Sequence, residues 1–491
     1  MTQRQRLTLI AAILGSGVAM IDGSIVNVAL PSIERDLGGG LSAQQWVSNG
    51  YLLTLGSLIL IGGSLGDIYG ERRIFSIGVT AFGVFSIACA LAPTIGVLLV
   101  ARALQGAAGA LLTPSSLAVI VAAFPERERG GAIGAWTAWG AIAAIVGPLA
   151  GGWILDAASW RWIFAINVPL VLVTLVLIRA AVPATMGDRT RHVDFVGAGL
   201  CVAGLGGMVF ALIEQPHYGW GSPVILVSFI LGAALFAAFL AYERRAADPM
   251  LELALFKRRN FTIGNLETLT MYAGLSILFF FLIIFLQEVA GFSPIKAGLS
   301  TLPVTLVMFT LSRRFGALAD RVGPRLFMGG GPLIAAGGIL LLLRTGIHTS
   351  YLTDLLPALL VFGVGLSLTV APLTATVLAV AEERDAGIAS AINNAVARVA
   401  GLIGISVLGV VVAGSLSGDT FARNAASVHA FHQAILICAS LVAAGGVAAA
   451  VGIQNPRRST DADGCPGGQL VGMPKPAAGC LEEPAVAQAA A

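Results

Sequence analysis

Charge is what this 491-residue chain has least of: only 11% of its residues are Asp, Glu, Lys or Arg, against about a quarter in soluble domains. With 57% hydrophobic residues and a mean hydropathy of +0.88, a water-soluble globule is excluded. Lysine occurs only at 257, 296 and 475, so nearly all of the 29 basic residues are arginine; with the many alanines, this favours a high-GC bacterial genome. The five cysteines, at 89, 201, 438, 465 and 480, follow no disulfide or metal-site spacing. No GxxxxGK(S/T) loop, HExxH or paired CxxC occurs, so ATP is excluded as a driving force within the chain and no cofactor or metal is expected. No catalytic constellation marks an enzyme, and nothing points to a nucleic-acid partner.

What the chain has instead is long apolar runs, each able to cross a hydrocarbon core about 30 Å thick. They are too long for the strands of a membrane barrel. Fourteen spans are expected, near 7–30, 46–66, 74–93, 95–119, 130–154, 163–182, 196–213, 223–242, 261–287, 297–315, 326–344, 354–380, 387–412 and 430–453. The first exceeds a signal-peptide core in length and carries Asp22, so it counts as a spanning helix. With the N-terminus inside, the outer loops hold only Arg35, Arg161, Lys296, Arg344 and Arg423, and Arg102 and Arg398 fall within spans. The remaining basic residues lie inside, as the positive-inside rule requires, which fixes an even helix count with both termini cytoplasmic.

Two stretches repeat each other: "GSLGDIYGERR" at 63–73 and "GALADRVGPRL" at 316–326. Gly63, Leu65, Asp67, Gly70 and Arg72 correspond to Gly316, Leu318, Asp320, Gly323 and Arg325, each set in a cytoplasmic turn after the second helix of a group. Two homologous six-helix bundles follow from this, built as parallel repeats. The expected organisation is an all-α polytopic membrane protein: an N-terminal bundle over 1–182, two inserted helices with flanking loops over 183–260, a C-terminal bundle over 261–453, and a disordered cytoplasmic tail over 454–491.

The chain resembles the major facilitator superfamily, and within it the fourteen-helix drug:proton antiporters, through four motifs. The turn GxLxDxxG(R/K)(R/K) is present as Gly63, Leu65, Asp67, Gly70, Arg72 and Arg73, with Asp320, Arg321 and Arg325 in its second copy. The resemblance implies a charge latch between cytoplasmic helix ends; Ile68 and Glu71 stand where the family usually has basic residues, which weakens the first copy. "LLVARALQGAAGA" is similar to LxxxRxxQGxGA through Leu98, Arg102, Gln105, Gly106, Gly109 and Ala110. Arg102 lies roughly 10 Å into its span, where a cation needs a partner. Asp22, in "MIDGSIVNVALP", sits at a comparable depth. Burial disfavours its charged form and a nearby arginine favours it, so the pair is suited to loading and releasing a proton; a purely structural ion pair is the alternative.

"AIVGPLAGGW" resembles the GxxxGPxxGG signature that exporters carry in their fifth helix, with Gly147, Pro148, Gly151 and Gly152. Its small faces allow close helix contact and its proline a bend. The resemblance implies that this bend closes the cytoplasmic leak path and biases the cycle to export. Glu267, about six residues into span nine, is a further carboxylate for a proton or cationic drug, or else a residue reaching the interface. Gln105, Trp136, Tyr272 and Phe280 are candidates for an apolar substrate pocket. The function implied is a monomeric proton-driven exporter of hydrophobic or amphiphilic drugs or antibiotics across the bacterial plasma membrane, moving substrate by alternating access between bilayer faces. The alternatives are a proton-coupled importer and a non-transporting membrane sensor.

Overall fold

A computed structural model of the chain describes residues 1–184, 187–188, 193–246, 248–379, 386–416 and 420–455, without the side chains of 126, 141, 144, 145, 386 and 387. The expected tail, apart from its first two residues, lies outside the described residues. Helix is the only regular structure among those described. In order the helices are α1 (Gln3–Leu37), α2 (Gly40–Tyr69), α3 (Glu71–Ala90), α4 (Ile95–Ala123), α5 (Glu126–Ala157), α6 (Arg161–Ala165), α7 (Asn167–Ala181), α8 (Phe195–Tyr218), α9 (Pro223–Glu243), α10 (Arg259–Ile284), α11 (Pro294–Ser300), α12 (Leu302–Val322), α13 (Pro324–Leu341), α14 (Leu356–Ala379), α15 (Ala386–Ala413) and α16 (Ala425–Gly452).

Among the described residues, 13 helices are long and apolar enough to cross a membrane. The fourteen expected spans differ from these at the fifth. Residues 130–154 are helical within α5, but side chains at 141, 144 and 145 fall outside the description and α5 is not one of the 13. The sixth and tenth spans are each broken near one end, giving α6 before α7 and α11 before α12.

Local chemistry starts and stops these helices. Thr2 and Gln5 form a reciprocal capping box on α1, and the side chains of Thr94, Ser293 and Asn424 cap α4, α11 and α16, each satisfying an N–H that the helix leaves unpaired. In the repeated turns, α2 ends at Gly70 (φ 90°, ψ 130°) and α12 at Gly323 (φ 105°, ψ 147°). A side chain strains that conformation, which explains why glycine recurs at the same place in both copies.

Helix α1 packs on α2, α4, α5 and α7, α2 on α4, and α3 on α4 and α7; α10 packs on α15 and α16, α13 on α14 and α16, and α12 on α14. The α8–α9 pair lies against α2 and α15 through α8, while α9 buries little beyond Ile225, Gly232, Phe239 and Glu243. The chain direction puts both repeated turns at one end of the helices, here the repeat end. Phenylalanines dominate the core of α10 and its neighbours: Phe285 stacks on Phe431 at 4.1 Å and 15°, and Phe280 and Phe281 meet edge-on at 4.9 Å. Elsewhere small residues set the spacing. Gly365 of α14 faces the backbone of Ala335 and Gly331 on α13, a close approach of the kind membrane helices use in place of a hydrophobic drive.

Gly365→Ala therefore forces α13 and α14 apart, at a cost of about 1–3 kcal/mol. Its melting temperature in detergent is expected to fall by several degrees, whereas Gly337→Ala, whose Cβ would meet nothing within 4 Å, leaves it unchanged. Equal melting temperatures for both variants would remove this account of the α13–α14 contact.

Candidate functional site

Among the described residues, two fully buried opposite charges face each other between long apolar helices. Arg102 on α4 and Asp22 on α1 are 1% and 0% exposed, and the guanidinium Nη1 donates to Asp22 Oδ2 at 2.5 Å. Nη1 also donates to Gln105 Oε1 at 2.7 Å, and Nε to the Val47 carbonyl at 3.1 Å. Asp22 Oδ1 accepts from Gln105 Nε2 at 2.9 Å and from Asn167 Nδ2 at 3.0 Å, and both amides also donate to Ser86 Oγ. The guanidinium lies 4.4 Å from the ring centre of Tyr51 and 5.7 Å from that of Phe164. Helices α1, α2, α3, α4, α6 and α7 all contribute, and both carboxylate oxygens are engaged. Burying two charges this deeply is tolerable only with such pairing and hydrogen bonding.

Glu267 presents the opposite case. It is 0% exposed and neither carboxylate oxygen has a hydrogen-bond partner. Its side chain passes close to Gly445 of α16, which also faces Thr270. On the adjacent face of α10, Asn393 Nδ2 of α15 donates to Asn265 Oδ1 at 3.1 Å and Thr268 Oγ1 at 2.8 Å.

The repeated turns hold helices of their own half together. Arg72 Nη2 donates to the Arg179 carbonyl at the end of α7 (3.2 Å), and its counterpart Arg325 donates through Nε to the Ala450 carbonyl at the end of α16 (2.6 Å). Arg4 Nε bonds the Ala181 carbonyl at 3.0 Å and Arg259 Nε the Gly452 carbonyl at 2.7 Å. Two arginines thus cap each helix C-terminus, where free carbonyls and the helix dipole favour cations. Asp67, Arg73, Asp320 and Arg321 are exposed, and the Asp67 carbonyl accepts from the Asp188 N–H at 2.8 Å. The bonds seen here run from arginines of the repeated turns to helix-end carbonyls of the same half.

The glycines of α5 serve two faces. Gly147 and Gly151 lie against Ser24 and Ile25 of α1, while Gly152 faces the backbone of Pro294 and Ile295, and the Pro148 carbonyl sits against Gly298 of α11. These contacts lie in the half of the helices away from the repeat end. The same half holds Gln45 Nε2 to the Ile405 carbonyl (2.6 Å), Asn49 Nδ2 to Ser406 Oγ (2.9 Å) and Gln287 Nε2 to the Val28 carbonyl (2.9 Å). Nearer mid-helix, a Cβ added at Gly56 of α2 would come within 3.0 Å of Arg398 Cβ on α15. Toward the repeat end of α5, a Cβ at Gly130, Gly131 or Gly134 would meet nothing within 4 Å. The glycine and hydrogen-bond contacts between early and late helices named here lie mostly away from the repeat end, and nearer that end Leu60 of α2 packs against the apolar cluster of α10, α14, α15 and α16.

The four pocket candidates do not converge. Gln105 belongs to the charge network, Trp136 donates to Ser16 Oγ at 2.8 Å, Phe280 is core, and Tyr272 is half-buried on α10. Sequence reasoning missed Ser86, Asn167, Tyr51, Asn49 and Ser406. Asn167 alone carried a signal, as a polar residue inside the apolar "RWIFAINVPL" stretch.

Residues 12–405 match the model of the Major Facilitator Superfamily. The chain belongs to that superfamily. It is similar to the multidrug resistance protein Stp of Mycobacterium tuberculosis, 36% identical over 418 residues that cover 85% of this chain and 78% of the relative. It is equally similar to the puromycin resistance protein pur8 of Streptomyces alboniger, 36% over 415 residues, 83% of this chain and 82% of the relative. The tetracenomycin C resistance and export protein of Streptomyces glaucescens is 33% identical, covering 84% and 77%. Among solved structures, a bacterial homologue of the human lysosomal transporter spinster, inward-facing and unoccupied, superposes with a TM-score of 0.63 at 16% identity, covering 92% of this chain and 98% of that one. A D-xylose–proton symporter gives 0.64 at 15%, covering 91% and 98%. This superfamily member is a multi-pass membrane transporter whose relatives are drug- and antibiotic-resistance proteins.

Removing one member of the Asp22–Arg102 pair leaves the other charge buried, at a cost of about 3–5 kcal/mol. Arg102→Met alone is expected to lower the melting temperature of the transporter strongly, and the double variant Asp22→Leu/Arg102→Met to recover most of the loss. Additive losses would mean that the two side chains do not act as a pair.

Proposed function

We propose that the chain is a proton-driven exporter of hydrophobic or amphiphilic antibiotics in a bacterial plasma membrane, acting by alternating access. The observation that carries this reading is the sealed Asp22–Arg102–Gln105–Asn167 network, in a superfamily member with drug-resistance relatives. Asp22 is the proton-carrying group: protonation removes one charge of the pair, and the balance between pairing and desolvation reverses. Arg102 tunes it. Glu267, which lacks any donor, is a second place where gaining or losing a proton changes much.

In this reading the chain has fourteen spans, α5 being the fifth, arranged as six-helix bundles over 1–182 and 261–453 with the pair α8–α9 in the 183–260 segment and a tail over 454–491, and it works as a monomer. Its arginine-rich repeat end is cytoplasmic, with both termini. The conformation is then inward-facing, with the outer end held by Gly152, Pro148 and the α2–α15 bonds. The arginine-capped turns keep each bundle rigid while the bundles rock.

Wild type and Asp22→Asn, expressed at matched membrane levels in a pump-deficient bacterium, distinguish the possibilities. Wild type is expected to raise the inhibitory concentration of at least one antibiotic, and Asp22→Asn to abolish the protection. Equal protection by both would make Asp22 structural and transfer the test to Glu267→Gln; protection by neither against a broad panel would overturn the drug-export reading.

A further inference from the structure

Arg102 and Arg398 both lie deep within their helices, and they are treated very differently. Arg102 is consumed by Asp22, Gln105 and Val47. Arg398 is not: among the described residues it has neither a hydrogen bond nor an ion pair. It stands near the middle of α15 (Ala386–Ala413), about 18 Å along the helix from its repeat end, too far for its side chain to snorkel to a headgroup. An unpaired guanidinium at that depth is tolerable only where water reaches it, and Arg398 is half-buried, not sealed.

Its surroundings place that charge between the two groups of helices. Arg398 Cβ faces Gly56 of α2. One turn further along α15, Gly401 faces Leu52 and Ser276. One turn back, on the same face, Asn394 is exposed and bonds only the Ser390 carbonyl of its own helix. Two turns beyond Arg398, the Asn49–Ser406 bond joins α2 to α15. Among the described residues this cation therefore sits on the face of α15 turned toward α2, with the neutral Asn394 one turn back and Gly401, which faces Leu52 and Ser276, one turn on.

We infer that Arg398 is the binding site for an anionic oxygen group on the transported molecule, so that the preferred substrate is an amphiphilic organic acid, not a lipophilic cation. The inference rests on the export reading for the word substrate. The physics does not: a fixed positive charge in a low-dielectric, water-accessible cleft attracts anions and repels cations. The fork of a guanidinium also matches a carboxylate or sulfonate with two parallel bonds, which an ammonium cannot do.

The test uses the full-length protein in nanodiscs and two probes of one shape, naphthalene-2-sulfonate and naphthalene-2-sulfonamide, with binding read by equilibrium dialysis. Wild type is expected to bind the sulfonate about tenfold more tightly than the sulfonamide, the margin of one charge-assisted contact. The preference should vanish in Arg398→Gln and persist in part in Arg398→Lys. Equal binding of the two probes to wild type, binding of neither, or a preference that survives in Arg398→Gln would overturn it. If Arg398→Gln does not fold, the wild-type ratio and Arg398→Lys still decide. Antibiotic protection in cells separates the two readings: protection without anion preference sinks the Arg398 assignment and leaves export standing, and anion preference without any protection does the reverse.

Discussion

A charge pair taken out of water sets the terms for the first half of this transporter. Asp22 and Arg102 cannot be exposed to lipid or left single, so α1 and α4 must stay in register to within a hydrogen bond, and Gln105, Asn167 and Ser86 must close the remaining valences. Six helices are thereby coupled to one carboxylate. Such an arrangement contributes less to net stability than an apolar core of the same volume, because desolvation cancels most of the attraction. What it does fix is the relative placement of the helices that supply its partners.

Around that pair the architecture uses different kinds of joint. Within each half, arginines from two helices converge on the C-terminal carbonyls of a third: Arg4 and Arg72 on α7, Arg259 and Arg325 on α16. Between early and late helices the contacts are of other kinds: glycine against backbone, neutral hydrogen bonds, the Arg35–Glu288 ion pair and a shared apolar core that joins Ile25 and Leu30 of α1 to Phe285 and Leu286.

Much of this was legible before any coordinate. Hydropathy and the asymmetry of arginine gave the membrane class and the long helices; the duplicated turn gave the correspondence of Gly70 with Gly323, whose backbone angles match; and depth alone singled out Asp22 and Arg102 as partners. What could not be read is what depends on rotation about helix axes. Glu267 packs beside a glycine 178 positions away in sequence, at 445, a neighbour that no local pattern announces. Asn49 and Ser406 are unremarkable polar residues until α2 and α15 cross. Phe280 looked like pocket material because aromatic content says nothing about which face is lined, and it turned out to be fully buried.

The position of α8 carries a mechanical consequence. Its apolar face packs against Ile61 of α2 and Leu402 of α15 in one continuous cluster, and Trp46 Nε1 of α2 donates to Glu214 Oε1 of α8 at 2.8 Å. The helix spans the joint like a splint fastened on one side: bonded to α2, merely greased by side-chain methyls against α15. In the alternating-access cycle proposed above, α15 would slide beneath α8 as the halves part, and the inserted pair would keep lipid out of the widening gap.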